Sequence, residues 1–417
     1  MISNIKTITL GCRLNTYESN IISTFKANLK RDNVVVINTC SVTSTAEKEG
    51  IKLVKKLKKN SPDSFIIATG CAVELNQAFW KNMPEIDKTI LNKNKLKPSL
   101  WGLEPEINNK EAIIEDAKHL QILKSNSQQT RAFIRIQNGC NHSCTFCAIT
   151  LARGNSESVP SGSIINEIKI LVSHGVQEVV LTGVDLTSYG EDLPGDNNLG
   201  KLIKKILKFI PDLKRLRVSS LDAAEIDMDL LEVFKYEERI MPHLHLSLQS
   251  HNDLILKRMK RRHTTKDAEN LIDKLKNIRP NILFGADLIS GFPTENEEAF
   301  KNTLNAIKKL DLTFLHVFPY SPRPGTPAAR MPQIPPAIRK ERAKILRNQG
   351  HKAKYKAFKN SINTYQNVLI ETKKGFGHAE NFLPVTISEK VKTNNIYKCK
   401  IIGIKNNMVI GKINGLI

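Results

Sequence analysis

The chain has 417 residues and carries 63 Lys and Arg against 41 Asp and Glu, a formal charge of +22. That length excludes one small core and points to two or three domains, and the charge favours a phosphate-rich polyanion over an acidic partner, with compositional drift toward Lys and Asn as the competing explanation. No run approaches the roughly 18 apolar residues that cross a bilayer, and the first residues lack a small-residue cleavage pattern. A cytoplasmic, reducing setting is therefore expected, in which clustered cysteines mean metal or catalysis rather than disulfides.

The chain opens with three strand-like runs that each end in a cysteine: KTITLGC, VVVINTC and SFIIATGC. Cys12, Cys40 and Cys71 are thus about 30 residues apart, the length of one strand–helix–strand unit. Helix-compatible segments YESNIISTFKANLK and STAEKEGIKLVKKLKK separate them. The pattern predicts a parallel α/β domain over 1–105 with all three cysteines at the carboxyl ends of its strands, the usual ligand edge. Residues 85–130 are polar and read as irregular, with a linker over 106–130.

Six further strand-like runs follow: RAFIRIQ, QEVVLTG, RLRVSS, HLHLSLQ, ILFGADLIS and TFLHVFPY, alternating with helical segments. They predict a partial (β/α)6 barrel within a domain spanning 131–362, rather than a full eight-unit barrel. Its first strand runs into GCNHSCTFC, which places Cys140, Cys144 and Cys147 in one loop. Four thiolates would close a zinc or iron–sulfur site; three leave a position open, which marks catalysis. His142 inside the loop keeps a zinc reading available. The domain ends in a basic helical stretch, RKERAKILRNQGHKAKYKAFKNS. Four short strands in 363–417 then predict a small antiparallel β-barrel, suited to nucleic acid or serving as a structural cap.

The spacing CNHSCTFC resembles that of the radical S-adenosylmethionine enzymes. The resemblance implies that Cys140, Cys144 and Cys147 ligate a 4Fe-4S cluster whose fourth iron binds S-adenosylmethionine. The strings GCRLNTYES, NTCSVT and TGCA extend it to the methylthiotransferase family, implying a second 4Fe-4S cluster on Cys12, Cys40 and Cys71. LTGVDLTSYG, HLHLSLQS, LKRMKRRHT and LHVFPYSPRPGTPA are similar to the branch that acts on threonylcarbamoyl-adenosine in tRNA; isopentenyl-adenosine in tRNA and a ribosomal-protein aspartate are the family's other substrates. The partners implied are tRNA, S-adenosylmethionine, a reductant and a sulfur donor, with no membrane and a monomeric enzyme.

By the same resemblance, Gly183, Ser219, Ser220, Gln249, Gly285, Asp287 and Gly291 are expected around the cofactor. Gly183 also reads as a plain turn glycine and Gln249 as loop packing. Arg153 and Gly154 follow the cluster loop, where Asn155 and Glu157 replace the arginines common in relatives and weaken an expected substrate contact. Arg323 is expected to meet a phosphate or carboxylate, or else to sit solvated on a rigid turn. KKGFGHAENFLPV resembles the TRAM-like RNA-binding barrel of RNA-modifying enzymes; Phe376 and Phe382 are expected to stack on bases, or one of them to join the core, with Lys373 and Lys374 for phosphate. Cys399, without a companion, reads as an ordinary thiol. An electron-transfer or RNA-binding protein and a zinc hydrolase are the alternatives from other classes.

Overall fold

The computed structural model describes residues 3–27, 33–101 and 130–417, so the expected linker lies, up to residue 129, outside the described residues. Four parallel strands, Lys6–Thr9, Val34–Thr39, Phe65–Gly70 and Lys88–Ile90, form the amino-terminal sheet in that spatial order. Thr9 pairs with Asn38, and Thr39 with Gly70, so the strands end in step and bring their cysteines to one edge. The fourth strand falls in the stretch expected to be irregular; three residues are too few to show alternation. The first helix was also expected to run longer: it spans Arg13–Ile22, after which Lys26–Ala27 pairs with Ser3–Asn4. Alternate side chains of the sheet bury on opposite faces, Val34 and Val36 with Trp101, Val35 and Ile37 with Trp80. Both tryptophans are thus core.

The second domain is an open parallel barrel. Arg131–Arg135, Glu178–Thr182 and Arg215–Val218 make one sheet; Ser220–Leu221, His243–Gln249, Leu283–Ser290 and Leu312–Pro319 make the next. The chain passes from one sheet to the other at Ser219, and among the described residues the first and last strands do not pair. The two-residue period sorts the side chains. Ala132, Ile134, Val179, Leu181, Leu216, Val218, Leu244 and Leu246 pack under the surrounding helices. Their neighbours Arg131, Phe133, Glu178, Arg215, Arg217, His243, His245 and Asp287 take the opposite face, a polar and charged lumen. The basic stretch is one unbroken helix, Pro336–Ser361. Gly350 does not interrupt it but lets it lie on the last strand, since a Cβ there would sit 2.8 Å from Leu315 Cδ1.

The terminal barrel is closed by five strands, Tyr365–Ile370, Phe376–Ala379, Pro384–Ile387, Met408–Leu416 and Ile396–Lys405, in that order around the barrel. The expected antiparallel pattern holds for every pairing except Pro384–Ile387 with Met408–Leu416, which is parallel. Cys399 is buried in its core. The barrel seals the amino end of the open barrel through a buried charge cluster. Fully buried Glu178 accepts from Arg217 at 3.0 and 3.1 Å and forms an ion pair with Arg131, whose Nε lies 2.8 Å away. Arg215 donates to the Asn367 carbonyl at 2.7 Å and Arg217 to the Glu380 carbonyl at 3.0 Å. Phe382 stacks between His378 and His243, with ring centroids 4.5 and 4.7 Å away, under the guanidiniums of Arg131 and Arg217. It is therefore a domain-seam residue and not a base-stacking platform. Phe376 packs edge-on to His378 in a strand that the sequence presented as a loop.

Candidate functional site

The carboxyl edge of the amino-terminal sheet faces the carboxyl mouth of the open barrel across a cavity of about 700 Å³. Cys12, Cys40 and Cys71 line one wall; Cys147, Gly183, Ser219, Ser220, Gln249 and Asp287 line the other. Cys140 and Cys144 share the loop of Cys147 but do not line the cavity itself. Gly285 and Gly291 also stand away from it. A Cβ at Gly285 would fall 2.3 Å from His245 Nδ1, so its bareness seats the histidine ring. At Gly291, with φ +67°, a Cβ would fall 2.3 Å from Arg339 Cγ, so this glycine seats the long terminal helix. Gln249 holds φ at 62°, a left-handed backbone that its side chain makes costly and that accompanies a register shift in its strand.

On the amino-terminal wall, Cys12 precedes the first helix, Cys40 follows the second strand, and Cys71 opens a short helix. Burial pushes the Cys40 thiol up to about 11. Gly11, at φ +94°, leaves no room for a side chain: a Cβ would lie 2.5 Å from Cys40 Sγ. Gly11→Ala is therefore expected to displace Cys40 and to lose most of the iron bound at this triad on anaerobic reconstitution. Iron analysis and visible absorption check this, and a full iron complement would show that the turn tolerates the methyl group.

On the facing wall, the amide of His142 donates to Cys140 Sγ at 3.4 Å and that of Ile149 to Cys147 Sγ at 3.5 Å. Arg261 donates to Cys144 Sγ at 3.5 Å while holding Asp222 at 2.6 Å and the Ser247 carbonyl at 2.8 Å. Burial lifts the Cys140 thiol to about 12 and that of Cys147 to about 11. Thiols so placed are neutral at pH 7 until a metal takes the proton's place. His142 turns to Asp185 at 2.6 Å.

Each triad suits an iron–sulfur cluster better than a single ion. Thiolates sharing one zinc at about 2.3 Å would lie about 3.8 Å apart. Among the described residues, the only sets of three donor groups lying within 4.8 Å of one another are Cys140–His142–Asp185 and His245–Asp287–His316. Neither contains two cysteines. The triads are thus spaced wider than one ion allows, and the N–H groups aimed at three sulfurs are the kind that steady cluster ligands.

The cavity's arginines differ in their company. Arg153, expected near the substrate, is buried and locked to the first helix. It donates to Glu18 at 2.9 and 3.1 Å, to Asn15 Oδ1 at 2.7 Å and to Asn138 Oδ1 at 2.9 Å. Burial alone would raise Glu18, but Lys95 and Arg153 hold it down at about 2. Arg323, expected to meet a ligand anion, instead pairs with Glu47 at 2.9 Å. Both are tethers between domains. Asn155 and Glu157 close the cluster loop: the Asn155 carbonyl packs on Gly139, and Glu157 joins a short ladder to Asn138.

Two lumen histidines, His245 and His316, and one arginine, Arg13, escaped the sequence reading, while the carboxylate between the histidines, Asp287, is one that it named. Asp287 Oδ1 accepts from His245 Nε2 at 3.0 Å and from His316 Nδ1 at 3.1 Å. Burial alone would raise this carboxyl; the two imidazoles hold it well below the usual range. Arg13 extends into the lumen over the Phe133 ring, 5.9 Å from its centroid. Burial, aided by the guanidiniums of Arg131 and Arg217, lowers it to about 10, so it stays cationic at neutral pH. The alternation in HLHLSLQ and the string GCRLN were the available signals.

Comparison with known proteins agrees with this architecture. Residues 134–307 match the radical SAM superfamily, and residues 4–91 match a family described as uncharacterized protein family UPF0004. The chain is 48% identical over 404 residues to the threonylcarbamoyladenosine tRNA methylthiotransferase MtaB of Rickettsia prowazekii, covering 95% of this chain and 94% of that one. It is 34% identical to the protein of the same name from Aquifex aeolicus, over 82% of this chain and 87% of that one. It is 33% identical to the tRNA-2-methylthio-N(6)-dimethylallyladenosine synthase of Ehrlichia canis, over 81% and 82%. The solved structure of the radical S-adenosylmethionine methyltransferase TsrM from Kitasatospora setae, with tryptophan and a cofactor analogue bound, aligns with TM-score 0.50 at 14% identity over 72% of this chain and 65% of that one, a likeness of fold. With two facing cysteine triads on these domains, the chain belongs to the radical S-adenosylmethionine methylthiotransferase family.

Proposed function

We propose that this protein is the methylthiotransferase that adds a methylthio group to C-2 of N6-threonylcarbamoyl-adenosine beside the tRNA anticodon. The observation that carries the reading is the pair of cysteine triads on opposite walls of one cavity, in a chain 48% identical to a protein bearing that name. Cys140, Cys144 and Cys147 would hold one 4Fe-4S cluster, binding S-adenosylmethionine and supplying the radical that activates C-2, and Cys12, Cys40 and Cys71 a second that presents the sulfur.

The chain's own residues then bind and orient. Ser219, Ser220 and Gln249 offer hydroxyl and amide groups to the polar cofactor, and Gly183 leaves room beside them. The tethers Arg153–Glu18 and Arg323–Glu47 hold the two walls at a fixed separation, which fixes where the target base sits. The domains follow as 1–105, 131–362 with its terminal helix, and 363–417, joined by 106–130. A basic surface favours tRNA as partner, in a cytoplasmic monomer that takes a reductant and a sulfur donor from elsewhere.

Nucleoside mass spectrometry of tRNA from a strain lacking the modification tests this. After anaerobic reaction with reconstituted protein, S-adenosylmethionine, sulfide and a strong reductant, threonylcarbamoyl-adenosine is expected to gain a methylthio mass. A gain on isopentenyl-adenosine alone would overturn the substrate and keep the chemistry.

A further inference from the structure

We propose that Arg13 binds the carboxylate of the threonyl substituent and thereby selects an acidic N6 group over an apolar one. This rests on the substrate reading above. Three arginines line the cavity, and two of them are already paired with acids. Among the described residues, no carboxylate or carbonyl accepts a hydrogen bond from Arg13; its guanidinium lies over the face of Phe133. Arg13 has Arg131, Arg217, Glu178 and Asp287 around it, but neither of these carboxylates is hydrogen-bonded to it, so its fork is open to an incoming anion. A carboxylate is the anion that a guanidinium fork fits in two-point fashion.

The surroundings suit the rest of such a substituent. Thr182, His245 and His316 also line the cavity and offer polar atoms to a hydroxyl and a carbonyl. An isopentenyl group would bury these polar atoms without partners, which sites of this kind reject strongly. The backbone of Arg13 follows Cys12 directly while its guanidinium reaches over Phe133 into the lumen, so a substituent that it holds points into the lumen and leaves its adenine nearer the cysteine-lined part of the cavity.

The test compares two anticodon stem-loop RNAs, one bearing threonylcarbamoyl-adenosine and one with its carboxylate converted to a neutral carboxamide. Two ratios are read: kcat/KM for the methylthio product, and Kd by fluorescence anisotropy. The reconstituted protein is expected to prefer the acid by on the order of 30-fold. Arg13→Gln is expected to cut that preference to within about threefold, and Arg13→Lys to keep an intermediate one. A carboxylate recognised elsewhere, or a purely structural Arg13, would leave the ratio unchanged in Arg13→Gln, and that result overturns the proposal. So does an unchanged protein that binds and modifies acid and amide alike, a result that needs no variant to fold. If the unchanged protein modifies only isopentenyl-adenosine, the substrate reading has failed and the Arg13 assignment falls with it, for a different and recognisable reason.

Discussion

Cys144→Ala is expected to abolish methylthio product and 5′-deoxyadenosine together, a loss of at least about a thousandfold, because the reductive step needs all three ligands of an open cluster. The variant should retain about half of the reconstituted iron, since the other triad lies on a separate domain across the cavity. Cys71→Ala should give the complementary pattern, losing product and half of the iron while 5′-deoxyadenosine still forms. The choice of Cys144 is deliberate. Its sulfur accepts from Arg261, which is anchored independently by Asp222 and Ser247, so the loop keeps its shape when the thiol is removed. A Cys144→Ala protein that still released 5′-deoxyadenosine at the original rate would remove this triad from the reductive step. Loss of all the iron would mean that the triads load as one unit.

Both triads were legible because their signal is local. Cys140, Cys144 and Cys147 share one loop, and each of Cys12, Cys40 and Cys71 closes an apolar run whose length fixes where the strand stops. The six barrel strands were legible for the same reason, through alternating or continuous apolar residues. The strand Phe376–Ala379 was not: its string FGHA has little strand propensity, and Gly377 is there because a Cβ would fall 2.0 Å from the Leu369 carbonyl. The lumen was hidden differently. His245, Asp287 and His316 lie on three strands, and only barrel register turns their side chains toward one another. Gly285 and Gly291 sit in the string expected around the cofactor, yet their bareness serves a histidine ring and a helix. The tethers are the least local of all, with Arg153 and Glu18 135 positions apart, and no pattern in either segment names its partner.

That tether carries the second large effect. Arg153→Ala should destabilise the junction of the two domains by about 3–5 kcal/mol, because it removes the two-point partner of a carboxylate that is 1% exposed and leaves Asn15 and Asn138 short of a donor. Lys95, 2.5 Å from Glu18 Oε2, remains as a charge partner and limits the loss. If charge burial is the cause, removing all three charges should cost less than removing one, so Glu18→Gln with Arg153→Met and Lys95→Met should unfold later in urea than Arg153→Ala. The pH dependence fixes the sign. Glu18 is held at about 2, below its ordinary value of 4.5, so the folded state binds this proton more weakly than the unfolded state. Its contribution, on the order of 3 kcal/mol, is fully present above about pH 4.5 and is lost as pH falls toward 2. The stability difference between the unchanged protein and Glu18→Gln should therefore be flat from pH 7 to 5 and shrink below 4.5. A difference that instead grew on acidification would show that Glu18 is not stabilised as an anion, and that the two walls of the cavity are held together by something other than this ion pair.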